Sequence, residues 1–341
     1  MSGQALYFLA PRQVAVRDED PPAPAFGQVL VQTLISAISS GTELLIYRGQ
    51  APPDLARDET IAALAGDFSF PLKYGYAAVG QVAELGPGVA RDWQGRLVFA
   101  LHPHESSFLA TPDELQPLPP EMSPEDAVFF PNLETAITLL LDGRPLLGEQ
   151  VAVFGQGVVG LLLASLLARW PLAALVTLDL YPKRRLASET LGAHLSLDPT
   201  APKAAAKLLA ALQGPRPYPG ADLAYEVSGN PAALDQAIAA TGFSGRVVIG
   251  SWYGRKMTEL SLGGRFHRSR ILLVSSQVST LPPDLTGRWN KARRSQATWE
   301  MLREIKPSRL ITHRFALKDA AQAYALLDQK PGDTIQVILT Y

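Results

Sequence analysis

Three glycines of the chain have the spacing that lets a backbone bind a pyrophosphate. Gly155 permits a tight turn, Gly157 leaves the backbone open to the anion, and Gly160 lets a helix pack close to the strand before it. The helix would begin at Val158 and Val159, and its first N–H groups would face the phosphates. The pattern therefore predicts a bound dinucleotide of the nicotinamide or flavin type, and with it redox chemistry.

An acidic residue follows at the distance that this motif requires. Asp179 ends a second apolar run, 174–178, and its carboxylate would accept hydrogen bonds from the adenosine ribose. A carboxylate at this point favours NAD, because it repels the 2′-phosphate of NADP. Arg184 and its basic neighbours keep NADP open as the alternative, since nearby arginines can accommodate that phosphate.

Composition excludes several classes of function. The chain has 341 residues, 47% of them hydrophobic and 18% charged, which is typical of a globular enzyme. A formal net charge of −1 provides no broad basic field for nucleic acid or anionic lipid. The longest apolar run, 158–168, is too short to span a bilayer, and no signal sequence is recognisable at the start. We expect a cytoplasmic protein that acts on a small molecule and binds neither nucleic acid nor membrane.

The order of the predicted elements indicates two domains. Residues 1–130 are rich in short strand-like runs separated by proline and glycine clusters. From 131 to 278, apolar strands alternate with helical patterns, which predicts a doubly wound parallel sheet with helices on both faces. We expect residues 279–341 to complete the first domain. A proline-rich stretch at 215–220 is predicted to be a loop.

The chain resembles the medium-chain dehydrogenase/reductase superfamily, the group that contains the zinc alcohol dehydrogenases. Beyond the glycine motif, the resemblance rests on stretches that occur in the order typical of the family: 40–43, 75–82, 184–193, 220–229, 245–250, 311–315 and 320–327. It implies an α/β fold in which a GroES-like, β-rich catalytic domain accompanies a Rossmann domain. Two stretches, Ser-Gly-Thr-Glu and Lys-Tyr-Gly-Tyr-Ala, are most similar to the zinc-less branch that groups with bacteriochlorophyllide a dehydrogenase.

The positions that hold catalytic zinc in this family carry other residues here. Ser40 replaces a cysteine ligand, Tyr76 replaces a histidine, and the third ligand position falls near Asn132 and Glu134. The chain has no cysteine, and the loop that would bind structural zinc is reduced to 101–105. A zinc ion needs three protein ligands to remain bound at an open catalytic site, so we expect no metal.

A rebuilt metal site is the alternative. His102, His104 and Glu134 offer two imidazoles and a carboxylate, and a His-x-His pair can coordinate zinc. The proline between the two histidines stiffens this loop, and the simpler interpretation is a pair of polar loop residues.

Without zinc, an organic side chain must assist the reacting oxygen. Tyr76 is the first candidate, because its phenol can donate a proton to a developing alkoxide; the alternative is that it fills the volume of the missing metal. Thr42 matches the family's hydroxyl that contacts the substrate oxygen. The family's relay histidine is Leu45 here, so His102 or His104 is predicted as its replacement.

The resemblance also implies which residues lie beside the cofactor. It places Arg184 near the ribose. The positions that it places along the nucleotide and beside the nicotinamide are Ser228, Gly250, Ser251, Trp252, Ser276 and Gln277.

The resulting prediction is a zinc-independent, NAD(P)-dependent dehydrogenase or reductase of a secondary alcohol or ketone. Two alternatives remain: a quinone or enoyl reductase, which needs less acid catalysis, and a nucleotide-binding protein with little catalysis. Because family members pair through the edge of the nucleotide sheet, we expect a homodimer that forms near 271–275.

Overall fold

The computed structural model describes residues 3–58, 61–213 and 219–341. The predicted loop at 215–220 lies mostly outside the described residues. The chain divides into two compact units, which we call unit 1 (Met1–Pro131 with Trp299–Tyr341) and unit 2 (Asn132–Thr298). The second boundary therefore falls within a helix, later in the chain than residue 278.

The strands in chain order are β1 Gln4–Ala10, β2 Gln13–Asp18, β3 Val29–Ile38, β4 Leu72–Lys73, β5 Ala78–Leu85, β6 Leu97–Ala100, β7 Ser107–Ala110, β8 Leu115–Pro117, β9 Gln150–Phe154, β10 Ala174–Leu178, β11 Leu195–Leu197, β12 Ala221–Glu226, β13 Thr241–Ile249, β14 Leu272–Ser275, β15 Ile311–Ala316 and β16 Gln336–Thr340. The α-helices are α1 Ser40–Tyr47, α2 Pro124–Ala127, α3 Phe130–Gly143, α4 Val158–Leu167, α5 Pro182–Thr190, α6 Ala204–Ala211, α7 Pro231–Ala240, α8 Lys291–Ile305 and α9 Ala320–Gln329.

Unit 1 is built on a largely antiparallel sheet in the order β15-β16-β3-β5-β6-β8, with β7 also paired to β3. Its strands alternate between buried and exposed residues: Val31 and Thr33 are buried in β3, whereas Gln32 and Leu34 are exposed. β16, from the end of the chain, pairs with β3 from its beginning. A second sheet has the order β2-β1-β4.

Unit 2 contains a six-stranded sheet in the order β11-β10-β9-β12-β13-β14, and all neighbouring strands are parallel. This is the doubly wound Rossmann order. All five residues of the central strand β9 are buried, as are nine of the ten residues of α4. The predicted fold, a β-rich domain with a Rossmann domain, is confirmed.

Among the described residues, none of the helices combines the length and the apolarity that a membrane crossing requires.

The apolar interior of unit 2 yields a test of the packing. Leu163 of α4 is fully buried, whereas Leu186 of α5 is 66% exposed. Leu163→Ala should lower the free energy of unfolding by about 2–5 kcal/mol, because it removes buried methyl groups and leaves a cavity. Leu186→Ala should change it by less than about 0.5 kcal/mol. Urea denaturation of the two variants measures both values, and equal losses would contradict the assignment of α4 to the core.

Candidate functional site

Most of the predicted nucleotide residues lie at one edge of the unit 2 sheet, where its parallel strands end. Gly155 follows β9, Asp179 follows β10, Ser228 lies just after β12, Gly250 follows β13, and Ser276 follows β14. The carboxyl ends of parallel strands share one edge of a sheet, which is where open α/β sheets bind their ligands. We call the loops 155–157, 179–181, 227–230, 250–256 and 276–277 the nucleotide edge.

The three glycines of the motif have the environments that their roles require. Gly155 has a φ of +96°, and a Cβ atom on it would lie 2.5 Å from the Cα of Ser228. A Cβ on Gly160 would collide with the carbonyl of Gly155. Around Gly157, by contrast, the residues that the structure describes place no atom within 4 Å of a Cβ position. Gly155 and Gly160 are therefore needed for packing, whereas Gly157 leaves the backbone open to a ligand.

That approach leads to the N-terminus of α4. Gly157 is the N-cap residue of this helix, and the first intrahelical bond runs from the Leu161 N–H to the Gly157 carbonyl, at 2.9 Å. The N–H groups of Val158, Val159 and Gly160 precede it in the first turn and have no intrahelical acceptor. Together with the positive end of the helix dipole they fit a pyrophosphate.

Asp179 anchors the glycine loop through a hydrogen bond to its backbone. Its side chain is buried; Oδ2 accepts the Gln156 N–H at 2.7 Å, and Oδ1 accepts the Tyr181 N–H at 2.9 Å. The carboxylate therefore joins the turn after β9 to the turn after β10, a role that the sequence motif does not reveal. Arg184 lies one turn along α5, with its guanidinium carbon 4.9 Å from the centre of the Tyr181 ring.

A second buried carboxylate, Glu226, fixes the other half of the nucleotide edge. It accepts the Ser228 N–H at 2.8 Å and the Tyr253 hydroxyl at 2.5 Å. Ser251 Oγ accepts the Gly229 N–H at 2.8 Å, so the loops after β12 and β13 are joined directly. The sequence predicts Ser228 as a cofactor-binding residue and Ser251 beside the nicotinamide, but it assigns no role to the Glu226 carboxylate that accepts from Ser228.

The remaining nicotinamide candidates lie on the same edge. Trp252 is 37% exposed, Gln277 Oε1 accepts the Ser279 N–H at 3.0 Å, and the Ser276 N–H donates to the Ile249 carbonyl at 3.0 Å. Ser276 is thus held in line with the end of β13.

In unit 1, three hydroxyl groups meet at the start of α1. The phenol of Tyr76 is hydrogen-bonded to the hydroxyl of Ser39, and its oxygen lies 3.4 Å from Thr42 Oγ1. We call Ser39, Thr42 and Tyr76 the hydroxyl cluster. All three are partly exposed. The structure thus joins two predicted catalytic residues and adds Ser39, while Ser40 is the neighbouring first residue of α1.

Burial raises the pKa of the Tyr76 phenol, and its hydrogen bonds with Ser39 and Thr42 oppose only part of this rise. Tyr76 is therefore a neutral hydrogen-bond donor at neutral pH. A neutral phenol suits donation to a carbonyl oxygen that gains negative charge.

His104 lies in the interior of unit 1. Its Nε2 is 3.0 Å from Oε2 of Glu43 and its Nδ1 is 2.6 Å from Oγ of Ser36, and neither His104 nor Glu43 is exposed to solvent. Tyr324 also donates to Glu43, and Ser36 lies 2.8 Å from the hydroxyl of Tyr341. We call these five residues the carboxylate network. With both ring nitrogens engaged, His104 fits a structural role better than a proton relay.

His102 stacks on Phe108, with ring centres 3.8 Å apart and planes inclined by 13°. Burial lowers the pKa of its imidazole to about 4, so the ring is neutral at neutral pH.

The sequence of the chain was compared with those of known proteins. No protein-family model matches the chain. The chain is 25% identical over 360 residues to a zinc-type alcohol dehydrogenase-like protein of Escherichia coli K12, covering 95% of each. It is 29% identical over 235 residues to (R,R)-butanediol dehydrogenase of Bacillus subtilis, covering 61% of this chain and 64% of that one. Over 359 residues it is 23% identical to 2-desacetyl-2-hydroxyethyl bacteriochlorophyllide A dehydrogenase of Cereibacter sphaeroides, covering 100% and 99%.

The chain is thus similar, over nearly its whole length, to alcohol dehydrogenase-like proteins of the medium-chain dehydrogenase/reductase type.

Solved structures share the fold of this chain. 2R,3R-butanediol dehydrogenase of Bacillus subtilis superposes with a TM-score of 0.80 at 20% identity, covering all of both chains. A short chain alcohol dehydrogenase of Escherichia coli CFT073, complexed with NADH, gives 0.79 at 17% identity, again over all of both chains. A zinc-binding dehydrogenase of Sinorhizobium meliloti bound to NADP gives 0.78 at 18%, with the same full coverage.

The resemblance to zinc-type alcohol dehydrogenases implies zinc, but the donor atoms of this chain do not fit it. Ser40 and Tyr76 offer a hydroxyl and a phenol where the family has thiolate and imidazole, and Glu134 is paired with Arg294 at 3.2 Å. Within the described parts of the chain, no three His, Cys, Asp or Glu side chains are arranged to hold a metal ion. The alternative site of His102, His104 and Glu134 therefore gains no support.

The environment of His102 predicts a pH effect on stability. The unfolded chain takes up a proton on this residue near pH 6.5, whereas the folded chain does so only near pH 4. Acidification across this window therefore favours unfolding, by up to about 3 kcal/mol from this group. His102→Phe keeps the ring stack and removes the titration, so it should be less destabilised by acid than the wild type. Urea denaturation at about pH 7 and about pH 4.5 measures the difference.

The matched control is His267→Gln, at an exposed histidine. It should keep the wild-type dependence on pH. If His102→Phe behaves like this control, the buried and neutral state of His102 is wrong.

Proposed function

We propose that this chain is a zinc-independent, NAD(P)-dependent oxidoreductase that transfers a hydride between the nicotinamide and a secondary alcohol or ketone. The observation that carries the proposal is the hydroxyl cluster. A phenol, held by Ser39 and Thr42, stands at the position where relatives have a zinc-ligating histidine. The nucleotide edge keeps every glycine of its motif.

The nucleotide edge supplies the cofactor site. The first turn of α4 would bind the pyrophosphate, and Asp179 the adenosine ribose. Ser228, Ser251 and Ser276 would line the nicotinamide end of the same edge. When bound, the nicotinamide supplies or accepts the hydride. We propose NAD as the preferred cofactor, because the anchored carboxylate of Asp179 leaves a negative charge where NADP carries its 2′-phosphate.

Tyr76 would supply the proton. In the reducing direction, its neutral phenol donates to the substrate oxygen while hydride arrives at the carbon, and the carbonyl becomes an alcohol. Zinc assists this oxygen in relatives that have it by accepting electron density, whereas a phenol assists it by giving a proton. The hydrogen bonds of Tyr76 within the hydroxyl cluster stabilise the negative charge that its oxygen then acquires.

A small-molecule panel tests the proposed reaction. The protein should be incubated with NAD or NADP and a panel of alcohols while NADH or NADPH absorbance is followed. The panel includes 2,3-butanediol and sorbitol, which appear in the names of relatives, and glycosides with a free secondary hydroxyl. Turnover of at least one secondary alcohol supports the proposal. Turnover of quinones or enones alone would favour the reductase alternative, and NADH binding without any turnover would favour a binding protein.

We also propose that the chain forms a homodimer through β14. This strand is the outer edge of the six-stranded sheet, and its first residue, Leu272, is 61% exposed. Sedimentation velocity should show a dimer that Leu272→Lys weakens, and a purely monomeric wild type would contradict it.

Removing the phenol tests the role of Tyr76. Tyr76→Phe should lower kcat by about 10²–10⁴-fold, the usual contribution of a general acid, and leave the Kd for NADH unchanged. Tyr74→Phe is the matched control: Tyr74 lies in the same segment, with its ring centre 6.1 Å from that of Tyr76. It should keep kcat within about twofold. An unchanged kcat in Tyr76→Phe would show that the ring only fills space.

Cofactor preference tests Asp179. Asp179→Ser removes the charge that opposes a 2′-phosphate, so the ratio of the Kd for NADPH to that for NADH should fall at least about tenfold. Asp198→Ser is the control, because Asp198 pairs with Arg185 at 3.6 Å and is exposed in part. Fluorescence titration with the two reduced cofactors measures both ratios. An unchanged ratio in Asp179→Ser would remove the ribose from the role of this carboxylate.

A further inference from the structure

Ser39 holds a position that normally gives serine a different task. It is the N-cap residue of α1, where a serine oxygen commonly accepts an N–H from the first turn of the helix. Ser123 does this at the start of α2, where its oxygen accepts the Asp126 N–H at 3.0 Å. The side chain of Ser39 makes no such capping bond. Its hydroxyl is directed to the phenol of Tyr76 instead.

Glu43 makes this arrangement possible. Its Oε1 accepts the backbone N–H of Ser39 at 2.7 Å, which ties down the start of α1 without using the serine hydroxyl. Its Oε2 is held in turn by His104 and Tyr324 in the carboxylate network. The backbone of Ser39 is thus fixed from the interior of unit 1 while its side chain faces the hydroxyl cluster.

The Ser39–Tyr76 bond is the shorter of the two polar contacts of the phenol, since the Tyr76–Thr42 distance is 3.4 Å. Tyr74 packs against Tyr76 with the ring planes at 85°. These contacts restrict the phenol to one orientation. Ser39 is also partly exposed, so water can exchange protons with its hydroxyl.

We propose that Ser39 is a positioning residue that orients the Tyr76 phenol and relays protons between it and water. The role rests on the proposed function of Tyr76. When the Tyr76 O–H bond breaks and a new O–H bond forms on the substrate oxygen, the Ser39 proton moves to the Tyr76 oxygen. A water proton then restores Ser39. The sum of these steps is one proton from water delivered to the substrate, and oxidation of an alcohol runs the same steps in reverse.

The contact can be tested without any substrate. In protein labelled with ¹³C at tyrosine Cζ, the Tyr76 resonance is assigned by its loss in Tyr76→Phe. Ser39→Ala should shift this resonance at neutral pH because the phenol loses a hydrogen bond, and Ser39→Thr should restore it. Ser123→Ala, at a capping serine, should leave the resonance unchanged yet lower Tm more than Ser39→Ala does. An unshifted resonance in Ser39→Ala would overturn the proposal.

Kinetics then test the relay. With the alcohol that the wild type turns over best, Ser39→Ala should lower kcat about tenfold with little change in KM or in the Kd for NADH, and Ser39→Thr should recover most of it. Adding Ser39→Ala to Tyr76→Phe should cost nothing further, because both changes interrupt one path. A wild-type kcat in Ser39→Ala, or additive losses in the double variant, would overturn the relay. If the wild type turns over no alcohol, the proposed function is wrong. The resonance experiment needs no substrate, so it would still show whether Ser39 contacts Tyr76.

Discussion

The buried carboxylate of Glu43 is the constraint on which the hydroxyl cluster depends. A charge without solvent is tolerated only where donors surround it, and here Ser39, His104 and Tyr324 provide them. Each donor comes from a different part of unit 1: the start of α1, the loop before β7, and α9. The carboxylate therefore fixes three segments against one another. The position of His104 in this network accounts for the glycine at position 75. Its φ is +128°, and a Cβ atom there would lie 2.8 Å from the His104 ring.

The fold and the nucleotide edge could be predicted because their signals are local. Gly160 packs against the Gly155 carbonyl within one strand–turn–helix unit, and Asp179 follows at a set distance in the sequence. What these residues do for one another, such as the bond from Asp179 to the Gln156 N–H, depends on two turns meeting across the sheet. Local sequence patterns do not predict such contacts between distant segments.

The hydroxyl cluster was predicted only in part for the same reason. The sequence predicts Tyr76 and Thr42 as candidates because the family resemblance implies chemistry at their positions. The sequence does not predict Ser39, because its partner comes from a segment 37 positions away. It offers His102 or His104 as a relay because Leu45 stands where the resemblance implies a relay histidine, and it gives no sign of the partners of His104, which are distant in sequence. Tyr324 is 281 positions from Glu43. The one available signal for Ser39 was a serine directly before a helix start, which points first to capping.

The proposed zinc-independent site has different structural requirements from a zinc site. A zinc ion carries its own charge and needs ligands that hold it, whereas a phenol must be oriented and kept neutral by its surroundings. Burial keeps the Tyr76 phenol neutral by raising its pKa, and the hydrogen bond to Ser39 orients it. In this proposal Glu43 stabilises the hydroxyl cluster from the interior of unit 1, and the residues proposed to bind the cofactor lie in unit 2.

The zinc content of the protein, together with the effect of a chelator on turnover, distinguishes a phenol-assisted site from a metal site. The purified protein should be assayed for zinc by mass spectrometry, and its alcohol-dependent reduction of NAD should be followed before and after dialysis against a strong chelator. The account predicts far less than one zinc per chain and equal turnover before and after dialysis. Stoichiometric zinc, with activity that chelation abolishes and added zinc restores, would contradict it.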